Sequence, residues 1–247
     1  MKRVSILLII LYAADFIFDS VLEKLGTAPA RYITKGLLMP LLISFFIIEI
    51  KDKVSDTKLM RVRLICMALI FSFIGDMFLV NSVVKYNFVF GLASFLIVQI
   101  CYILFLYKIK PFAKKNAIFL FIATLLILAY LVIMNYIFWP KVYSQNFIGP
   151  VIVYSFALGL MLLCAINVSN SRRFQKTAVI FFIPGAISFV ASDSMIAANR
   201  FYMSRPVPDY YIMGTYCLAQ FLIVTGAIQI IKKKSNEIKN RSEERFY

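Results

Sequence analysis

Two aspartates stand in stretches where an aspartate is costly. Asp76 lies near the end of Phe71-Ser72-Phe73-Ile74-Gly75-Asp76-Met77-Phe78-Leu79, and Asp193 lies within Phe189-Val190-Ala191-Ser192-Asp193-Ser194-Met195-Ile196-Ala197. Each follows a small residue, Gly75 or Ser192. An ionisable side chain at the centre of a membrane helix costs about 2.5–3.5 kcal/mol on insertion scales, so such groups are paired, hydrated or put to use. Two carboxyls sharing one poorly solvated pocket divide a proton between them. The neutral member then serves as general acid and the ionised one as general base. That pairing suits acid-promoted hydrolysis through an oxocarbenium-like state, as in glycoside hydrolysis by two carboxylates. The chain has no histidine, which removes Ser–His catalysis and the commonest transition-metal ligand. No motif marks a Ser or Cys nucleophile with another base.

The elements that position these groups follow from composition. Of the 247 residues, 62% are apolar, and the mean hydropathy is +0.83. A soluble core of this size does not require so much apolar sequence, so the chain is expected to be an integral membrane protein. Runs of about twenty mostly apolar residues, the length of a span, occur at 4–22, 32–50, 63–80, 88–107, 117–138, 147–167, 177–198 and 210–231. The predicted fold is all-α, a polytopic membrane bundle of about eight helices. A single domain is expected over residues 1–231, with a basic, frayed cytoplasmic tail at 232–247. Met1-Lys2-Arg3 before an apolar run is also how a signal peptide begins. No small-x-small cleavage site follows, however, and Asp15 and Asp19 interrupt the region beyond, so a retained first helix is expected. Cys66, Cys101, Cys164 and Cys217 lie in apolar runs without paired spacing and read as buried small hydrophobes. Neither a disulfide frame nor a metal site is indicated.

The net charge of +15 does not indicate nucleic acid, because the basic residues fall between apolar runs and form no stripe interleaved with aromatics. Lys2, Arg3, Lys51, Lys53, Lys58, Arg61, Arg63, Lys108, Lys110, Lys114 and Lys115 would gather at one set of helix ends. Arg172, Arg173, Lys176, Lys232, Lys233 and Lys234 fall at the same ends. The opposite ends carry only Lys24, Arg31, Lys85, Lys141, Arg200 and Arg205. Both termini are therefore expected in the cytoplasm, and in the inner membrane if the source is bacterial. At 1.5 Å per residue, Asp76 and Asp193 would sit roughly 5–10 Å inside the other boundary. Lys35, Asp15 and Asp19 fall in that same half. Gln99 with Tyr102, and Tyr216 with Gln220, are spaced to share a helix face nearer the middle, where Tyr154 also lies. Pro184-Gly185 should kink or loosen the seventh span ahead of Asp193. Arg200 is expected at the boundary, either to meet a phosphate or to anchor the helix.

Three readings follow from these residues. The preferred one is a hydrolase using Asp76 and Asp193. The alternatives are a proton-coupled transporter or lipid translocator with the same aspartates as relay, and a bundle whose charges only bridge helices. The four polar segments together resemble the YhhN-like lysoplasmalogenases, an eight-span family. The stretch 71–79 is similar to that family's F-S-x-x-G-D-x-x-L segment. Residues 185–197 are similar to its G-x-x-x-F-x-x-S-D-x-x-x-A segment, Lys35-Gly36-Leu37-Leu38-Met39-Pro40-Leu41-Leu42 to its K-P-L region, and Tyr216 to Gln220 to its Y-x-x-x-Q. Gly36 replaces a usual proline, and Gln99 replaces a common histidine, which shifts the acid–base burden onto the aspartates. The resemblance implies hydrolysis of the vinyl-ether bond of a lysophospholipid, without a cofactor, to a fatty aldehyde and glycerophosphocholine or glycerophosphoethanolamine. Asp76 and Asp193 would be catalytic. Lys35, Gln99, Tyr102, Tyr154, Tyr216, Gln220 and Arg200 would bind substrate. Oligomeric state is left open.

Overall fold

A helix in hydrocarbon satisfies its own backbone, so a chain this apolar is confined to helices or a closed barrel. The structure, a computed structural model, describes residues 3–25, 28–51, 59–81, 84–113 and 117–243, with backbone alone at 28–29 and 234–243. Lys2, Lys53, Lys58, Lys114 and Lys115 of the basic set lie outside the described residues. The spans are α1 (Arg3–Lys24), α2 (Ala28–Ile50), α3 (Leu59–Leu79), α4 (Lys85–Ile109), α5 (Ala117–Ser144), α6 (Ile148–Val168), α7 (Gln175–Phe201) and α8 (Asp209–Glu243). Among the described residues, eight helices are thus long and apolar enough to cross a membrane, and the protein is an all-α, multi-pass bundle. The tail expected to fray from Lys232 instead continues the last helix as far as Glu243.

The bundle is apolar outside and partly polar within. Ile118, Phe121 and Leu126 on α5 are 80%, 63% and 68% exposed, while Ser72, Asp76, Gln99 and Gln220 are buried. In water such a surface would aggregate; in a bilayer it is solvated by lipid chains. Consecutive helices pair as hairpins, α1 with α2, α3 with α4, α5 with α6 and α7 with α8. α2 then joins α3 and α8, and α4 joins α6. Ion pairs at both ends of α2 fix its direction against α8. Lys35 bonds Asp209 at one end (2.9 Å), and Lys232 bonds Glu49 at the other. The two helices therefore run parallel, as even-numbered spans must.

Two local features matter for the site. Pro184 lacks an N–H and its ring crowds the carbonyl four residues back. The backbone answers with a widened π turn over Ala178–Phe182, and the α-helix resumes at Ile183. The irregularity expected at Pro184-Gly185 thus lies one turn earlier, where the ring must be accommodated. α3 and α4 also approach closely through Gly75 and Gly91. A Cβ on Gly75 would meet the Phe95 ring at 2.7 Å, and one on Gly91 would meet Leu79 at 2.7 Å. Small residues let helices pack where lipid supplies no hydrophobic force between them. Replacing Gly75 with valine should therefore push Phe95 into the core and lower stability by about 1–3 kcal/mol. A fall in the midpoint of thermal unfolding in detergent would record it; an unchanged midpoint would contradict the close packing.

Candidate active site

Asp76 lies three residues from the end of α3, roughly 5 Å of helix rise, and its carboxylate is buried. The Tyr216 hydroxyl of α8 donates to its Oδ2 at 2.9 Å. One turn deeper the pattern repeats. Gln220 Nε2 donates to Ser72 Oγ at 2.9 Å, and Gln220 Oε1 accepts from the Tyr102 hydroxyl of α4. Ser72 and Asp76 are four apart, as are Tyr216 and Gln220, so each pair lines one helix face. The order of the two rungs shows α3 and α8 antiparallel. Every member of this ladder is satisfied, as a buried polar network must be to stabilise.

Asp193 sits on α7, eight residues before the helix ends at Phe201. It receives the Tyr154 hydroxyl of α6 at 2.5 Å on Oδ2. Its neighbours anchor the helix: Ser192 Oγ donates to the Ile212 carbonyl at 3.1 Å, and Ser194 Oγ lies 2.6 Å from the Tyr130 hydroxyl of α5. Each aspartate is therefore held by one tyrosine from a different helix.

Although α3 and α7 are not paired helices, Asp76 and Asp193 line the same cavity, of about 350 Å³. Lys35, Arg200, Asp209 and Tyr216 also face it. Beneath it Phe95, Phe189 and Tyr216 pack edge to face, with centroids 5.7–6.3 Å apart. Asp193 has a second outlook, because it also lines an adjoining slot whose walls are mostly apolar, among them Leu92, Met134 and Leu158. It stands where a polar chamber meets an apolar one.

Of the residues expected to bind substrate, Lys35, Tyr154, Tyr216 and Arg200 line these two cavities. Tyr102 and Gln220 lie behind Tyr216 in the ladder. Gln99 is fully buried on α4, beside the Tyr154 hydroxyl, without a well-formed hydrogen bond to either of its polar atoms. Arg200 stands 5.1 Å over the Phe88 ring and 5.8 Å over that of Phe147, a cation–π seat at the edge of the chamber.

Lys35 does not pair with Asp15 or Asp19. Its partner is Asp209, which also receives Arg31. Asp19 instead accepts from Thr34 at 2.6 Å and from Arg31 at 3.4 Å. Asp209 is the residue that reading the chain overlooked. Its place after Pro206-Val207-Pro208 marks a helix start, which makes it look like a boundary. Only folding sets it 2.9 Å from a lysine 174 positions earlier.

Fold and site together define a polytopic helical bundle with a polar pocket, lined by Asp76, Asp193 and Asp209, set toward one end of the bundle. Residues 30–227 match the YhhN family, and the chain belongs to it. Two relatives, each named lysoplasmalogenase, come from Mycobacterium bovis and Mycobacterium tuberculosis. Each is 31% identical over 164 residues, covering 64% of this chain and 58% of the relative. No solved structure matches.

The ladder makes Tyr216 a partner of Asp76 in particular. Tyr216→Phe should lower stability by about 1–3 kcal/mol, the cost of leaving a buried acceptor bare. In an Asp76→Asn background the loss should shrink, with a coupling of about 0.5–3 kcal/mol. Thermal unfolding of the four proteins of this cycle measures it, and strict additivity would sever the pair.

Proposed function

We propose that the protein is a membrane-embedded hydrolase of the vinyl-ether bond in single-chain alkenyl phospholipids, with Asp76 and Asp193 as its acid–base pair. The observation that carries this reading is the position of Asp193 at the joint between the polar chamber and the apolar slot. A lysolipid has the same division: a phosphate headgroup, a hydrocarbon chain, and the ether oxygen between them. The names of the two mycobacterial relatives support the substrate class, and the family's match supports the shared architecture.

The chemistry uses groups already in place. With the chain in the slot, the alkenyl carbon lies beside Asp193, which delivers a proton to the carbon one removed from the ether carbon. The double bond's electrons form the new C–H bond, and the oxygen lone pair stabilises the resulting oxocarbenium ion. Asp76, on the chamber side, takes a proton from water as the water's oxygen bonds to the ether carbon. The hemiacetal then breaks its C–O bond. Asp76 returns its proton to the departing glycerol oxygen, Asp193 recovers one from the hemiacetal hydroxyl, and both carboxyls are restored. Aldehyde and glycerophospho-alcohol are the products. Tyr216 and Tyr154 hold the carboxyls in position, a role in which misplacement is costly. Lys35 and Arg200 offer positive charge to the phosphate, with Asp209 as counter-ion.

The basic residues near one set of helix ends support a reading with both termini in the cytoplasm and the site toward the outer leaflet. Purified protein supplied with an alkenyl lysolipid should release fatty aldehyde. Asp76→Asn and Asp193→Asn should each cut the rate by about 10²–10⁴-fold, the usual contribution of a positioned acid or base. Full activity in the double variant would end the assignment. A pH-dependent flux in liposomes without aldehyde would replace it with a transporter.

A further inference from the structure

The apolar slot beside Asp193 does not end at α7. It shares Tyr130 and Leu131 with a further groove of about 220 Å³ between α5, α6 and α7, where Leu126, Gly159, Leu162 and Val190 form the walls. The three cavities thus form a series. Asp193 links the first to the second, and Tyr130 links the second to the third. Polarity falls along it: several charged groups line the chamber, Asp193 with a few hydroxyls and the Asn135 amide lines the slot, and the last groove is apolar apart from the Tyr130 hydroxyl. Numbering along the helices runs the same way. Asp193 precedes the end of α7 by two turns, and Val190 and Ile187 lie one and two turns deeper.

We infer that this series is the path of the lipid's hydrocarbon chain, running from Asp193 past Tyr130 to the groove floored by Gly159, and that the lipid enters sideways from the bilayer beside α5. The inference rests on the hydrolase reading for the identity of the lipid, though the path itself rests on the cavities. α5 is the wall best suited to yield. Only 6% of its most apolar stretch is buried, against 17–61% for the other spans, and it packs chiefly on α6 and more lightly on α7. An element with few buried contacts opens at the least cost. Gly159 keeps the floor low. A Cβ there would meet Leu131 Cδ1 at 2.8 Å and Ile127 Cγ2 at 2.9 Å, so any larger residue would displace the α5 side chains. The 2.6 Å contact of Tyr130 with Ser194 holds the tyrosine at the narrow passage.

A chain moving from bilayer to groove exchanges one hydrocarbon phase for another and gains little from leaving water. Shape and length must therefore select it. A saturated alkyl-ether lysophospholipid, which has no vinyl ether to cleave, with a diazirine near its chain end, tests the path in the full-length protein. Photolysis followed by peptide mapping should place the label within residues 126–131, 159–162 and 187–190, and excess unlabelled lysolipid should compete it away. Label spread over the lipid-facing surfaces of α1 to α4 and indifferent to competitor would overturn the path. Independently, Val190→Trp should fill the groove and lower turnover of a long-chain alkenyl lysolipid about tenfold relative to a short-chain one. An unchanged ratio of the two rates in a folded variant would also overturn it. Should no aldehyde form from any chain while the label still maps to the groove, the path stands and the hydrolase reading falls.

Discussion

A carboxyl in hydrocarbon must find a donor, and the arrangement of this bundle depends on how two of them do so. Asp76 is held by Tyr216 and Asp193 by Tyr154, each tyrosine from another helix. The rung of Ser72, Gln220 and Tyr102 next to Asp76 is also complete, whereas Gln99 beside Tyr154 lacks a well-formed bond. In lipid, where packing supplies most of the attraction between helices, such bonds add modest strength and fix which faces meet. They determine that α3, α4 and α8 meet around one end of the bundle.

At that end the membrane protein keeps a chamber walled by charge. Arg31, Lys35 and Asp209 join α2 to α8, while Asp19 and Thr34 extend the network to α1. The opposite end of α2 has its own tie, Glu49 to Lys232. With both ends fastened, α2 and α8 form a fixed frame. By contrast, α5 presents apolar side chains on nearly every side and has little to hold it. The same bundle thus contains a rigid polar wall and a loosely attached apolar one, with Asp193 between them. A site for an amphiphile needs both kinds of wall.

Much of this was legible along the chain. All eight spans appear, six of them close to their expected limits and two running on to Ser144 and Glu243, because the apolar run length needed to cross a bilayer is a property of local sequence. The wide turn before Pro184 was likewise foreshadowed, since a missing N–H must be accommodated wherever a proline interrupts a helix. Asp76 and Asp193 stood out because charge in an apolar run is conspicuous without knowledge of contacts. Asp209 did not stand out, because at a helix start an aspartate is ordinary. Tyr130 was equally hidden among the aromatics of α5.

Sequence alone therefore determined the membrane setting, the number of spans, their alternation and the two acidic groups that call for explanation. Each of these follows from transfer free energies that act residue by residue. The tertiary structure decided who partners whom: Lys35 with Asp209 and not Asp15 or Asp19, Gln220 behind the chamber and not in it, and Asp193 at the meeting of a polar and an apolar cavity. The Lys35–Asp209 pairing joins positions 174 residues apart. The register of such pairings is set by how helix faces pack against one another, and periodicity within a single helix carries no record of it.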